Sequence, residues 1–98
     1  MQMNYNKEAE KLTVAPEGRL DTVTAPEFEK AVGELLSGVS DLVLDMTKIT
    51  YVSSAGLRVI LKLQKVMANQ GQMKLIGVNE TVMEVLEITG FASILHIE

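Results

Sequence analysis

The 98-residue sequence contains no cysteine, no tryptophan and a single histidine. Without thiols the chain has no disulfide, no thiolate nucleophile and no cysteine-ligated zinc site, a composition typical of the reducing cytoplasm. Aromatic residues make up only 4% of the sequence, which leaves few rings for stacking on bases or sugars. These absences favour a cytoplasmic protein that does not bind nucleic acid.

Basic residues are also scarce, since the chain has 9 Lys and Arg against 13 Asp and Glu, which gives a formal net charge of −4. A protein that binds phosphate backbones usually concentrates basic residues, whereas those of this chain are scattered. No apolar run approaches the ~20 residues of a membrane span, and the N-terminus has no signal-peptide core. We therefore expect one domain over residues 1–98, with neither nucleic acid nor membrane as a partner.

The sequence lacks the usual catalytic signatures, with no Gly-x-Gly-x-x-Gly, no Walker-type loop and no Gly-x-Ser-x-Gly elbow. The only histidine, His96, lies near the C-terminus in an apolar run, where a structural role is favoured over general-base catalysis. Asp21 and Asp45 each follow an apolar strand and are expected at strand ends near Ser53 and Ser54, although turn formation or helix capping also explains either one. We expect no enzymatic activity, no cofactor and no metal site.

Short apolar runs alternate with helical patterns of about three turns, which predicts an α/β domain with a mixed sheet and helices mainly on one face. Strands are expected at 2–7, 11–15, 19–20, 41–45 and 73–78, with a candidate edge strand at 94–97 and a polar loop at 47–50. Helices are expected to begin at Thr24 with Glu27 as capping-box partner, at Ser53 or Ser54, and at Asn79, and to end at Gly38, Gly71 and Gly90.

The most informative segment is Tyr51-Val52-Ser53-Ser54-Ala55-Gly56-Leu57-Arg58, because it places two serines at the start of an amphipathic helix. The first N–H groups of a helix have no partner within it, and the macrodipole favours negative charge there, so a phosphate on such a serine is accommodated. This predicts a switch, although a serine N-cap and a solvated basic face explain the same residues. The predicted buried face is Gly56, Val59, Ile60, Leu63, Val66 and Met67, and the opposite stripe is Arg58, Lys62, Lys65 and Asn69.

Four segments, in order along the chain, resemble the STAS domain of bacterial anti-sigma factor antagonists. They are Gly18-Arg19-Leu20-Asp21 with Thr24-Ala25-Pro26, Leu42-Val43-Leu44-Asp45, Val52-Ser53-Ser54-Ala55-Gly56-Leu57, and Val85-Leu86-Glu87-Ile88-Thr89-Gly90-Phe91. The resemblance spans most of the chain. It implies a STAS-like domain with a mixed sheet of four or five strands and helices packed on it.

The resemblance also implies a function, namely that the unphosphorylated protein binds a GHKL-type serine kinase that is also an anti-sigma factor. Phosphorylation at the start of the second helix releases the kinase, and a PP2C-type phosphatase restores the bound state. The implied phosphoacceptor is Ser54, with Ser53 as the alternative. The sequence has Ser53 and Ala55 where the family usually has Asp before and Ser or Thr after the phosphoserine, and Arg58 replaces a common glycine.

The residues expected to contact the partner are Asp21, Thr24, Ser53, Ser54, Ala55, Gly56, Leu57, Arg58 and Lys62. Two alternatives stand beside this hypothesis. One is a STAS adaptor without a switch, such as a subunit of a lipid-transport complex or a signalling scaffold. The other is a small hydrolase that uses Ser54, for which the sequence offers no base except His96.

Overall fold

The computed structural model describes all 98 residues and contains six strands, three α-helices and one 3₁₀ turn. The strands are β1 (Met3–Glu8), β2 (Lys11–Pro16), β3 (Gly18–Leu20), β4 (Asp41–Asp45), β5 (Ile49–Val52) and β6 (Gln72–Ile76). The helices are α1 (Thr24–Gly33), α2 (Ser54–Ala68) and α3 (Glu80–Ile88), followed by the 3₁₀ turn Phe91–Ser93. None of the helices combines the length and the apolar character that crossing a membrane requires.

Four strands form a mixed sheet in the order β1-β2-β4-β6, in which β1 is antiparallel to β2 and the other pairs are parallel. The predicted α/β architecture is confirmed. The remaining strands, β3 and β5, form a separate parallel pair. The predicted polar loop at 47–50 is wrong in its second half, because Ile49–Val52 gains its order from pairing with β3, a distant segment that no local pattern reveals.

The core lies on one face of the four-stranded sheet, where α1 and α2 pack. Alternate strand residues point into this core, namely Leu12, Val14, Leu42, Leu44, Met73 and Leu75. The intervening Thr13 and Lys74 are half-buried on the opposite face, whereas Val43 on the central strand β4 is buried there as well. This period-2 alternation is what one covered face requires, and it confirms the prediction of helices mainly on one side.

Two predicted features of α2 are wrong. Val66 is 42% exposed, whereas Leu57 is 4% exposed and belongs to the core, because the helix turns its buried face toward α1 and the strands at a slightly different angle. Gly71 is not among the left-handed glycines. It is required for space, since a Cβ there would lie 1.9 Å from the Ser40 carbonyl oxygen.

The start of α3 follows the prediction. Asn79 is its N-cap, and its side-chain oxygen accepts from Val82 N at 2.8 Å. The amide nitrogen of Asn79 donates to the Ile49 carbonyl at 2.9 Å, which ties α3 to β5. The candidate edge strand at 94–97 is reduced to a single parallel bridge between Ile97 and Leu75, because the 3₁₀ turn occupies the preceding residues.

Candidate functional site

Two loops meet at one edge of the β3–β5 pair. Because these strands are parallel, their carboxyl ends lie side by side, and each leads into a helix, β3 into α1 and β5 into α2. Leu20 pairs with Val52, and Ser53 N donates to the Leu20 carbonyl at 2.8 Å. The site therefore brings Asp21 and the serine pair onto one edge, although they are far apart in sequence.

The two serines have different environments. Ser53 is the N-cap of α2 in an extended conformation, and its Oγ accepts a long hydrogen bond of 3.5 Å from Gly56 N. Ser54 is the first helical residue, its side chain is exposed, and its hydroxyl makes no hydrogen bond within the protein. The sequence left open whether Ser53 or Ser54 caps the helix, and in the structure the N-cap is Ser53. The free hydroxyl is that of Ser54.

Gly56 and Leu57 lie beneath the site and not on its surface. A Cβ at Gly56 would lie 2.7 Å from the Leu20 carbonyl oxygen, so the absence of a side chain lets α2 approach the strand pair. Leu57 is buried in the core. Both residues were predicted to contact a partner, but their burial leaves them no contact surface, and we assign them the role of positioning the helix start.

Asp21 lies in the loop between β3 and α1, where its carboxylate accepts hydrogen bonds from the backbone. Its Oδ1 accepts from Val23 N at 3.0 Å and from Thr24 N at 3.1 Å, and Arg19 Nε lies 3.7 Å from Oδ2. The hydrogen bond from Thr24 N and then that from Val23 N lower the pKa of Asp21 below its ordinary value of 3.8. Desolvation opposes them, and the Thr24 hydroxyl and Arg19 lower the pKa more weakly. Asp21 is therefore a fixed negative charge at neutral pH.

The predicted Thr24 N-cap and its capping box are wrong. Val23 holds the N-cap position without a side-chain bond, and Thr24 is the first helical residue. The Asp21 carboxylate satisfies the N–H groups at this helix start, as an acidic residue before a helix can. The Thr24 hydroxyl instead closes the loop, since it donates to the Arg19 carbonyl at 2.6 Å and accepts from Asp21 N at 2.9 Å.

Replacing Asp21 by asparagine is expected to lower stability at pH 7. A carboxylate whose folded pKa is depressed contributes stability that is complete above its unfolded pKa of about 4 and is lost as the pH falls through the lower folded value. The difference in Tm between wild type and Asp21→Asn should therefore shrink below about pH 4. Thermal melts across pH check this, with Glu84→Gln as the control, because Glu84 is exposed, has no ion pair and lies beyond the first turn of α3. A difference that stayed constant with pH would contradict the assigned bonds.

An open groove of about 190 Å³ runs between α1 and α2 beside the two loops. Lys62 on its wall is paired with Glu29 across the groove at 3.5 Å, whereas Arg58 is exposed and has no ion-pair partner. The residues that line the groove are Thr22, Ala25, Pro26, Glu29, Ala55, Arg58, Val59 and Lys62. The groove thus carries one uncompensated positive charge close to the start of α2.

A model of the STAS domain matches residues 2–98. This chain belongs to the STAS domain family. A relative from Bordetella bronchiseptica named as an anti-sigma factor antagonist, BtrV, is 33% identical over 96 residues, which cover 96% of this chain and 83% of the relative. The recognised resemblance is confirmed.

Solved structures agree with the family assignment. TM1081 of Thermotoga maritima superposes with a TM-score of 0.90 at 26% identity, covering 97% of this chain and 84% of the other. The anti-sigma factor antagonist SpoIIAA of Bacillus shares the fold at 14–15% identity, with TM-scores of 0.83 for its unphosphorylated form and 0.75 for its phosphorylated form. The alignments cover 99% of this chain in both cases, together with 88% of the unphosphorylated and 91% of the phosphorylated SpoIIAA chain.

Two polar residues of this STAS domain lie outside the site. His96 is exposed beside β6, where its backbone carbonyl accepts from Leu75 N and its Nε2 lies 3.0 Å from Glu98. Asp45 Oδ1 accepts from Thr47 N at 3.0 Å, so its role is to form the turn after β4. His96 does not line the groove beside Ser54, and no His, Asp and Glu side chains are grouped as metal ligands.

Sequence reasoning missed one pair at the edge of the site. Arg19 and Tyr51 are cross-strand neighbours on β3 and β5, and the guanidinium carbon lies 4.8 Å from the centre of the Tyr51 ring. Such a cation–π contact holds the arginine beside Asp21. The only available signal was the strand pairing itself, which the sequence pattern did not predict.

Proposed function

We propose that this STAS domain is an anti-sigma factor antagonist that, when unphosphorylated, binds a GHKL-type serine kinase with anti-sigma activity. The supporting comparison is with BtrV, named as an anti-sigma factor antagonist and matched over nearly the whole chain. Partner contacts are assigned to the exposed or half-exposed members of the site, namely Asp21, Thr24, Ser53, Ser54, Ala55, Arg58 and Lys62. A PP2C-type phosphatase is the proposed enzyme that reverses the modification.

The phosphoacceptor of this proposal is Ser54. This choice rests on the different states of the two hydroxyls. The Ser54 hydroxyl is exposed and makes no hydrogen bond at the first position of α2, whereas the Ser53 hydroxyl caps the helix. In the reaction, the Ser54 oxygen forms a bond to the γ-phosphorus of ATP, the bond to ADP breaks, and the hydroxyl proton leaves. Hydrolysis by the phosphatase returns serine and inorganic phosphate.

Release of the kinase is assigned to charge and not to unfolding. A phosphoserine carries about −1.5 to −2 charges, and a negative charge in the first turn of a helix favours the fold by about 0.3 to 1 kcal/mol. The same fold is found in both the unphosphorylated and the phosphorylated form of SpoIIAA. The added charge therefore acts on the partner, through repulsion of acidic groups that face Ser54 in the complex.

Incubation with ATP and a candidate GHKL-type kinase should add one phosphate, mapped to Ser54. Intact-mass analysis and peptide mapping measure this. Ser53→Ala serves as the matched control and should still accept one phosphate, whereas Ser54→Ala should accept none. Phosphate on Ser53 would overturn the assignment of the acceptor, and an unmodified wild-type protein would favour the adaptor without a switch.

A further inference from the structure

Arg58 is the only charged residue on the first turns of α2 that lacks an ion-pair partner. Its side chain is exposed, and it lies four residues after Ser54 on the same helix. The next basic residue, Lys62, is already paired with Glu29. In the unmodified protein, therefore, Arg58 presents a free positive charge one turn away from the serine.

Helix geometry directs this charge toward Ser54. Residues four apart lie on the same face with their Cβ atoms about 5–6 Å apart, and side chains lean toward the helix N-terminus. A long side chain at position 58 thus extends over the turn that contains position 54. The backbone N–H groups of Ser54 and Ala55 donate to no protein acceptor, and they point out of the N-terminal end of the helix.

We propose that Arg58 binds the phosphoryl group on Ser54 within the same helix and is thereby withdrawn from the partner surface. The proposal rests on Ser54 being the phosphoacceptor. Phosphorylation would then act twice, since it adds negative charge and also neutralises the one free positive charge of the groove. A guanidinium suits this role better than an ammonium, because its planar donors bind two phosphate oxygens at once.

Of the basic residues at the site, only Arg58 has no ion-pair partner, since Arg19 on β3 pairs with Asp21 and contacts the Tyr51 ring. Asp21 and Glu29 are the carboxylates of the adjoining loop and groove, and both would repel a phosphate. Lys62 already forms an ion pair with Glu29, and Lys65 lies three turns along the helix from Ser54. Lys65 is exposed and has no ion-pair partner, which makes it the matched control for a basic residue outside reach.

The test uses protein with phosphoserine incorporated at position 54 by an expanded genetic code, so that no kinase is needed. Phosphorus NMR titrations give the second pKa of the phosphate. We expect this pKa to be about half a unit higher in Arg58→Gln than in the wild-type sequence, intermediate in Arg58→Lys, and unchanged in Lys65→Gln. Because Arg58 and Lys65 are both exposed, these variants should fold normally.

An unchanged phosphate pKa in Arg58→Gln would overturn the proposal, as would an equal shift in Lys65→Gln, which would indicate diffuse charge and no specific contact. The outcome is separate from that of the kinase experiment. If the kinase modified a different serine, the proposed function would fail while the titration still measured the contact. If the kinase modified Ser54 but the titration showed no shift, only the role of Arg58 would fail.

Discussion

Ser54→Asp is expected to bind the kinase at least tenfold more weakly than Ser54→Ala, while both variants remain folded. Position 54 is exposed at the start of α2, and in the proposed complex a side chain there faces the partner. A unit of like charge about 4 Å from an acidic partner group costs about 4 kcal/mol at an effective dielectric of 20. Solvent and salt reduce this, and about 1.4 kcal/mol is sufficient for a tenfold change.

Stability should hardly distinguish the two variants. Ser53 and not Ser54 is the N-cap, so alanine at position 54 removes no capping bond. Aspartate in the first turn is favoured by the helix dipole. Binding titrations with the kinase, together with thermal melts, measure both properties, and Ser53→Asp is the control for a charge at the neighbouring position. Equal affinities of the Ala and Asp variants, or an unfolded Asp variant, would contradict the switch.

Gly71→Ala is expected to lower the free energy of unfolding by about 2 to 4 kcal/mol, with a fall in Tm of about 10 °C or more. The new Cβ would lie 1.9 Å from the Ser40 carbonyl oxygen and 2.6 Å from its carbon, both of them backbone atoms. That oxygen accepts the hydrogen bond from Gln72 N at 2.9 Å. The backbone must therefore shift where β6 joins the sheet.

Gly33→Ala is the matched control for this substitution. Gly33 is the last residue of α1, has no left-handed conformation, and a Cβ there would have no neighbour within 4 Å. Alanine should leave stability unchanged or raise it by up to about 1 kcal/mol, because it favours the helix. Chemical denaturation of both variants checks the contrast. A Gly71→Ala protein as stable as Gly33→Ala would contradict the close approach.

The sequence allowed the fold class and the start of the second helix to be predicted, because both depend on local signals. The hydrophobic pattern repeats differently in strands and in helices, and residues that favour the N-cap position, such as Asn79 and the serine pair, indicate where helices begin. Gly71 shows the limit of such signals. A glycine after a helix predicts a left-handed end, whereas its actual role depends on Ser40, a residue distant in sequence.

The sequence predicted which residues come together at the ends of β3 and β5, but not the structural role of each one. The motif pointed to Asp21, Ser53, Ser54 and their neighbours, and these do come together at one edge of β3 and β5. Which serine is the cap, and that Leu57 faces the core, depend on how α2 packs. The capping role of Asp21 in place of Thr24 depends on loop geometry, which the N-cap rule alone does not supply.

A phosphate on Ser54 is expected to change binding of the kinase without unfolding the protein. The most direct test is a calorimetric titration of the GHKL-type kinase with unmodified protein and with protein carrying phosphoserine at position 54, alongside melting curves of both. We expect the phosphorylated protein to bind at least tenfold more weakly and to melt at an equal or higher temperature. Equal affinities, or weaker binding accompanied by loss of the folded state, would contradict the account.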